Sequence, residues 1–379
     1  MNSLNFIKVF LYLFLYLIFT INISYSKDNS YWLKINKDGM IAFKERNFIE
    51  AESFYIQAIE EARKSNLDAE LSATLNNLGL LKIELLEYKV AENLINESLR
   101  LRLEYYGLNH RYVAQSYNNL ARVYESSERM ENSIELYIKA IGVYERLGNR
   151  YSMLLARTLI NLSTVQLNIG LLDVAQINLV RALALSKKFG PDSLVRLSAM
   201  HNLAALFTQK GNYIEAEEIY LHLIKIRKNI NGSESIKLAI VLNNLAVLYK
   251  KNCKYDLAFP YIDEALSIWG KLQSKDNLNY AKAFHNLAEL YKAQGKYDLA
   301  IQFFKKGIAI IKGSSDILHE QYLEQSYALI NLYLKTGKLS EANILIKNIN
   351  IQNKNNEKKI ITIDSIPEEV FEECSSSNI

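Results

Sequence analysis

Apolar residues recur along this chain at intervals of three and four, stop at a short polar break, and then recur again. In AKAFHNLAELYKAQGKYDLAIQFFKKGIAII, residues 281–311, Phe284, Leu287, Leu290 and Tyr291 fall on one side of a helix. The run QGKYD interrupts the pattern, and Leu299, Ala300, Phe303, Phe304 and Ile308 then mark one face of a second helix. The pattern predicts a helical hairpin. Ala288 and Ala300, twelve residues apart, are small enough to let its two helices approach closely.

The same unit recurs. The second Asn of the pairs in TLNNLGLLKI, SYNNLARVYE and VLNNLAVLYK has equivalents in other copies, giving Asn77, Asn119, Asn161, Asn202, Asn244 and Asn286. The steps are 42, 42, 41, 42 and 42 residues. Fourteen residues further on, Ala91, Ser133, Ala175, Ala216, Ala258 and Ala300 keep the same register, and Ala51 and Ala342 extend it at the two ends. Two markers in register predict about eight copies between residues 31 and 348. Gly170, Gly211, Gly295 and Gly337 stand at the break, where a helix end takes a left-handed residue, and Cys253 takes that place in its copy. YGLNHRY, FGPDSL, NGSESI and GSSDIL carry the Gly and capping residues that end one hairpin and begin the next. A single hairpin cannot bury its apolar face, but stacked neighbours can. The expected fold is therefore all-α, an α-solenoid.

At these residues the chain resembles the tetratricopeptide repeat, through Leu287-Ala288, Tyr291, Gly295, Tyr297, Ala300 and Phe304. The 42-residue period, NNLA, LEYYGLNHRYVA and Pro260 in KYDLAFPYIDEAL resemble its kinesin-light-chain-like subtype. Pro260 is expected in the first turn of its helix, where few backbone donors are committed. The resemblance implies a right-handed superhelix that binds protein partners along a concave side lined by the first helix of each hairpin. Lys37 and Ala328 replace the second Asn in the outer copies, as capping repeats would.

Composition fits this picture. Half of the residues, 49%, are hydrophobic, 23% are charged, and there are three prolines, which suits long helices. The net charge of +4 is too small to indicate a nucleic-acid partner. Residues 1–26 differ from the rest. Lys8 precedes VFLYLFLYLIFTINI, and SYS precedes Lys27, which reads as a secretory signal cleaved after Ser26. The other reading is an uncleaved membrane anchor over residues 6–25. The chain divides into this signal, a repeat array over 27–348 and a flexible acidic tail over 349–379. The expected location is periplasmic or secreted.

Beside the ladder Asn, each first helix places Leu78, Leu120, Leu162, Leu203, Leu245 or Leu287 toward the hairpin core, so the Asn lies about 100° away, toward the groove edge. A carboxamide offers both donor and acceptor, which suits an extended peptide backbone. The resemblance implies the same use, since Asn at this position commonly contacts a bound peptide in the family. The opposing reading is that these Asn clip neighbouring repeats together. The first Asn of the pair, Asn118 or Asn243, becomes Ile160, His201 or His285 elsewhere and would adjust specificity. Arg122, Arg157, Lys250, Lys251, Lys282 and Lys292 face the same groove against Glu84, Glu125 and Glu289, favouring an acidic or carboxylate-bearing ligand.

No metal, phosphate-loop or nucleophile motif is present, so neither cofactor nor catalytic residue is assigned and the chain is read as non-enzymatic. Cys253 and Cys374 are expected as unpaired thiols. The tail carries Asp364, Glu368, Glu369, Glu372 and Glu373, and is read as disordered or as docking in the basic groove. The leading function is an exported scaffold binding a peptide or protein segment. The alternative is an assembly subunit that self-associates or docks in an envelope complex through its terminal repeats or convex face.

Overall fold

The structure is a computed structural model and describes residues 29–272, 277–312, 319–355 and 360–367. The proposed signal segment lies outside these residues. The described residues form sixteen α-helices in eight consecutive hairpins, with three short 3-10 turns and no strand. They fall into two compact units, Met1–Lys188 and Phe189–Ile379. The first unit pairs α1 (Ser30–Lys44) with α2 (Phe48–Lys64), α3 (Asp68–Glu84) with α4 (Tyr88–Tyr106), α5 (Arg111–Ser126) with α6 (Met130–Leu147), and α7 (Ser152–Asn168) with α8 (Leu172–Ser186). The second pairs α9 (Leu194–Lys210) with α10 (Tyr213–Asn231), α11 (Ile236–Lys251) with α12 (Tyr255–Lys271), α13 (Asn277–Ala293) with α14 (Tyr297–Lys312), and α15 (His319–Lys335) with α16 (Leu339–Asn355).

The two sequence markers occupy the seams of these hairpins. Ala51, Ala91, Ser133, Ala175, Ala216, Ala258, Ala300 and Ala342 are all fully buried, and the Leu after each ladder Asn is at most 7% exposed. A larger side chain at the small positions would separate the helices, so the period records a packing requirement.

Each hairpin turns on one residue with positive φ: Arg46, Leu86, Glu128, Gly170, Gly211, Cys253, Gly295 and Gly337, with φ between 58° and 79°. Its amide donates to a carbonyl three residues back, and the next amide donates to a carbonyl five back, as from Cys253 to Lys250 and from Lys254 to Tyr249. The turn thus satisfies the helix-end carbonyls.

Three expectations are corrected. Pro260 lies six residues into α12, in the second turn. Cys253 is disulfide-bonded and not a thiol; the other cysteine, Cys374, lies outside the described residues. The last helix continues to Asn355, past the expected end of the array at 348. Beyond it, Ile361 and Ile366 are buried in the core of the final hairpins. Asn350 Nδ2 donates to the Ile361 carbonyl, and the Ile361 amide donates to Asn350 Oδ1, both at 2.8 Å.

Candidate functional site

Five of the six ladder asparagines reach back to the preceding hairpin. In the first unit Asn77 Nδ2 donates to Asn36 Oδ1 at 3.4 Å, Asn119 to Asn76 at 2.9 Å, and Asn161 to Asn118 at 3.2 Å. In the second, Asn286 donates to Asn243 at 3.0 Å, and Asn244 Nδ2 lies 3.0 Å from His201 Nε2. The geometry explains the pair. The second residue of one hairpin reaches back to the first residue of the hairpin before it, so the first position is the acceptor of a polar relay. Asn76 is 1% exposed, Asn119 5% and Asn243 9%. Asn202 is half-buried on α9. An aliphatic first residue, Ile160, has no acceptor to offer.

His201 occupies an acceptor position. Burial, and to a smaller degree the charge of Arg227, holds its imidazole down at about 4. The ring is therefore neutral at pH 7, and Nε2 accepts when the proton sits on Nδ1.

Much of the groove charge is compensated within the array. Arg122 lies 3.9 Å from Glu84 of the preceding hairpin, Lys292 is 2.7 Å from Glu289, and Lys250 is 4.0 Å from the same carboxylate. Glu125 turns inward and accepts from Tyr137 Oη at 3.0 Å, and its burial pushes the carboxyl above the usual range. Arg157 and Lys282 remain exposed.

A second link between neighbouring hairpins is absent from the sequence reading. Glu92 accepts from Tyr124 Oη at 3.2 Å and from Arg129 at 2.9 Å, and the Arg129 hydrogen bond holds its carboxyl below the usual range. Glu217 accepts from Tyr249 Oη at 2.8 Å across the same spacing of 32 residues. A Glu and a Tyr at that fixed interval were the available signal.

The second unit opens a cavity of about 400 Å³ on its first-helix face. Asn243, Asn244, Ile240 and Val247 of α11 line it, with Asn279, Lys282, His285 and Asn286 of α13 and Glu324 and Gln325 of α15. Trp269 of α12 forms part of the wall and was not singled out by the sequence. It is 1% exposed, and its Nε1–H has no hydrogen-bond partner among the described residues; the same holds for Gln325 Oε1. Four of the sequence-selected residues, Asn243, Asn244, Lys282 and Asn286, thus meet around one cavity. Asn77, Asn118, Asn119, Asn161, Arg122 and Arg157 lie in the other unit, and Lys250 stands farther along α11.

Comparison with known proteins agrees with the repeat geometry. A family model for the tetratricopeptide repeat matches residues 70–146, 112–188, 168–229, 195–260 and 237–312. The matches span more than half of the chain, which therefore belongs to the tetratricopeptide repeat family. A clustered mitochondria protein homolog of Aspergillus clavatus is 27% identical over 154 residues, 40% of this chain. The match spans only 12% of that relative's length. A tetratricopeptide repeat protein from Parabacteroides merdae superposes with a TM-score of 0.54 at 17% identity, covering 78% of this chain and 98% of that one. The Rap conjugation gene regulator of plasmid pLS20, solved in complex with the Phr* peptide, gives a TM-score of 0.56 at 15% identity, covering 78% and 77%. The superpositions agree on the fold, and the family match gives the general class, a repeat scaffold for protein–protein interaction.

Proposed function

We propose that this chain is an exported, non-enzymatic scaffold that holds a peptide or protein segment against the first-helix face of its second unit. The observation that carries the reading is the cavity between α11, α13 and α15, where relay amides, apolar Ile240 and Val247 and the exposed ammonium of Lys282 stand together. Eight of its eleven lining residues are polar, and their carboxamides offer both the donors and the acceptors that an extended peptide backbone needs. Among the solved relatives, the Rap regulator binds a peptide, which supports the class of ligand. Lys282 favours a carboxylate on that ligand, opposed by Glu324 on the far wall. Export rests on the signal reading of residues 1–26, and the disulfide at Cys253 suits an oxidising compartment.

Peptides of graded charge, offered to the purified chain, test the reading. Lys282→Glu is expected to weaken an acidic peptide by about ten-fold and to leave the melting temperature in place. Asn244→Ala is expected to lower melting, because it breaks the relay. Equal binding by wild type and Lys282→Glu would sink the cavity as the site. Concentration-dependent association that survives both substitutions would turn the function toward the assembly subunit.

A further inference from the structure

One position of the repeat recurs three times around the cavity of the second unit. Ile240, Lys282 and Glu324 each stand four residues before the ladder position, on α11, α13 and α15, at intervals of 42 residues. All three line the cavity. The face therefore presents an apolar group, a cation and an anion on successive hairpins. Lys282 and Glu324 are exposed, and Ile240 is half-buried. Arg122, Lys250 and Lys292 stand beside carboxylates of the array, but among the described residues neither Lys282 nor Glu324 has an ion pair. The equivalent residues of the first unit, Ala73, Gln115 and Arg157, carry no such order.

We propose that the cavity takes a protein segment in polyproline II conformation whose residues i, i+3 and i+6 are apolar, acidic and basic, set against Ile240, Lys282 and Glu324 in that order. Spacing, charge and backbone chemistry support it. Helices packed side by side stand about 8–10 Å apart, so the three positions form a row with about that step. A polyproline II helix has three residues per turn and rises about 3.1 Å per residue, which brings one face back after about 9 Å. A β-strand does not match, because residues on one face lie two apart, at about 7 Å, and the third faces away. The charges match in one order only. A carboxylate meets the Lys282 ammonium and a cation meets Glu324, whereas the reverse order sets like charge against like at both. Polyproline II also leaves its own amides and carbonyls without internal hydrogen bonds. Asn286 uses one N–H on Asn243, and among the described residues its second N–H and its Oδ1 have no partner, so one carboxamide can meet both kinds of backbone group.

This inference rests on the cavity as the ligand site and adds the order and spacing of the groups it takes. Ile240, with Val247 beside it, gives the first residue its apolar contact, and Glu324 gives the segment a base to prefer. A ligand of acids alone is therefore the weaker one.

Short labelled peptides carrying Leu, Glu and Lys at i, i+3 and i+6, with Pro and Ala between, test the row by fluorescence anisotropy against the full-length chain. Both chain directions are offered. In one of them the peptide with this order is expected to bind about ten-fold tighter than the same peptide with Glu and Lys exchanged. The double variant Lys282→Glu with Glu324→Lys keeps the net charge and is expected to invert that preference, with melting unchanged. A double variant that keeps the wild-type preference would overturn the row. Moving the two charges to i+2 and i+4 should abolish the preference; a stronger preference there would overturn the polyproline II conformation. If Lys282→Glu weakens an acidic peptide but wild type ranks the two charge orders equally, the ordered row is overturned and the cavity stands as the site. If neither order binds and Lys282→Glu changes nothing, the cavity and the row fall together.

Discussion

The chain contains two tryptophans, one in each unit, and they meet different ends. In the first unit Trp32 Nε1 donates to Thr74 Oγ1 of the next hairpin at 2.9 Å. In the second, Trp269 Nε1 is buried beside a cavity, with no hydrogen-bond partner among the described residues. Arg102, one of the first-unit residues at the repeat position of Trp269, donates through Nη1 to the Tyr112 carbonyl and to Ser116 Oγ, both at 2.9 Å. At one position of the repeat, then, Arg102 is anchored to the next hairpin while Trp269 lines a cavity. The turns differ as well. Three of the four hairpin turns in the first unit place a residue other than Gly at positive φ. The second unit does so once, at Cys253. The single costly turn there is the one that forms a disulfide.

The comparison breaks most sharply at the relay. Asn119→Ala strands Asn76 Oδ1 in a site 1% exposed and should cost about 2–3 kcal/mol in urea unfolding. Asn286→Ala leaves Asn243 at the cavity edge and should cost about 1 kcal/mol. Equal losses would erase the distinction between the sealed Asn76 site and the Asn243 site beside the cavity.

Next in size is the pH response, which only the second unit carries through its relay. His201 titrates at about 4 when folded and near the ordinary 6.5 when unfolded. The unfolded chain therefore takes up the proton first as pH falls, so stability is lost from about pH 6.5 downward and levels off below about 4. The loss between pH 7 and pH 5 should be about 2 kcal/mol. His201→Asn, which restores the acceptor found in other copies, should flatten the profile of thermal melting against pH. A profile identical to wild type would remove His201 as its cause.

A smaller effect concerns the turns. Glu128→Gly relieves a φ of 59° and should stabilise the first unit by about 1 kcal/mol. Gly211→Ala should destabilise the second unit by a similar amount, about 1 kcal/mol. Smallest is Arg122→Gln, which loses an exposed pair at 3.9 Å and should change stability by under about 0.5 kcal/mol.

The period, the hairpins and the turn positions were legible in sequence because each rests on local chemistry: apolar spacing, a small residue in a seam, a left-handed turn. Cys253 was read correctly as a turn residue for that reason. Its disulfide was not, because no local pattern around Cys253 marks a paired thiol. The ladder asparagines were visible, but their bonds depend on stacking. Asn119 meets Asn76, Asn161 meets Asn118, and Asn286 meets Asn243, always 43 residues apart. Spacing of identical positions shows only 42, and the extra residue is the step from second to first Asn. Trp269 carried no signal at all, since its slot holds Arg102, Tyr144, Ser186, Arg227 and Ile311 in other copies. The meeting of four selected residues at one cavity required the packing of α11 against α13.

Each pair of asparagines carries one donor for the hairpin behind and one acceptor for the hairpin ahead. A genetic event that copies or deletes one whole period between equivalent points leaves the remaining donors and acceptors matched. The array can therefore change its length over generations in steps of one hairpin without inventing new polar chemistry, and a copy that loses its acceptor, as at Ile160, marks where such growth would need repair.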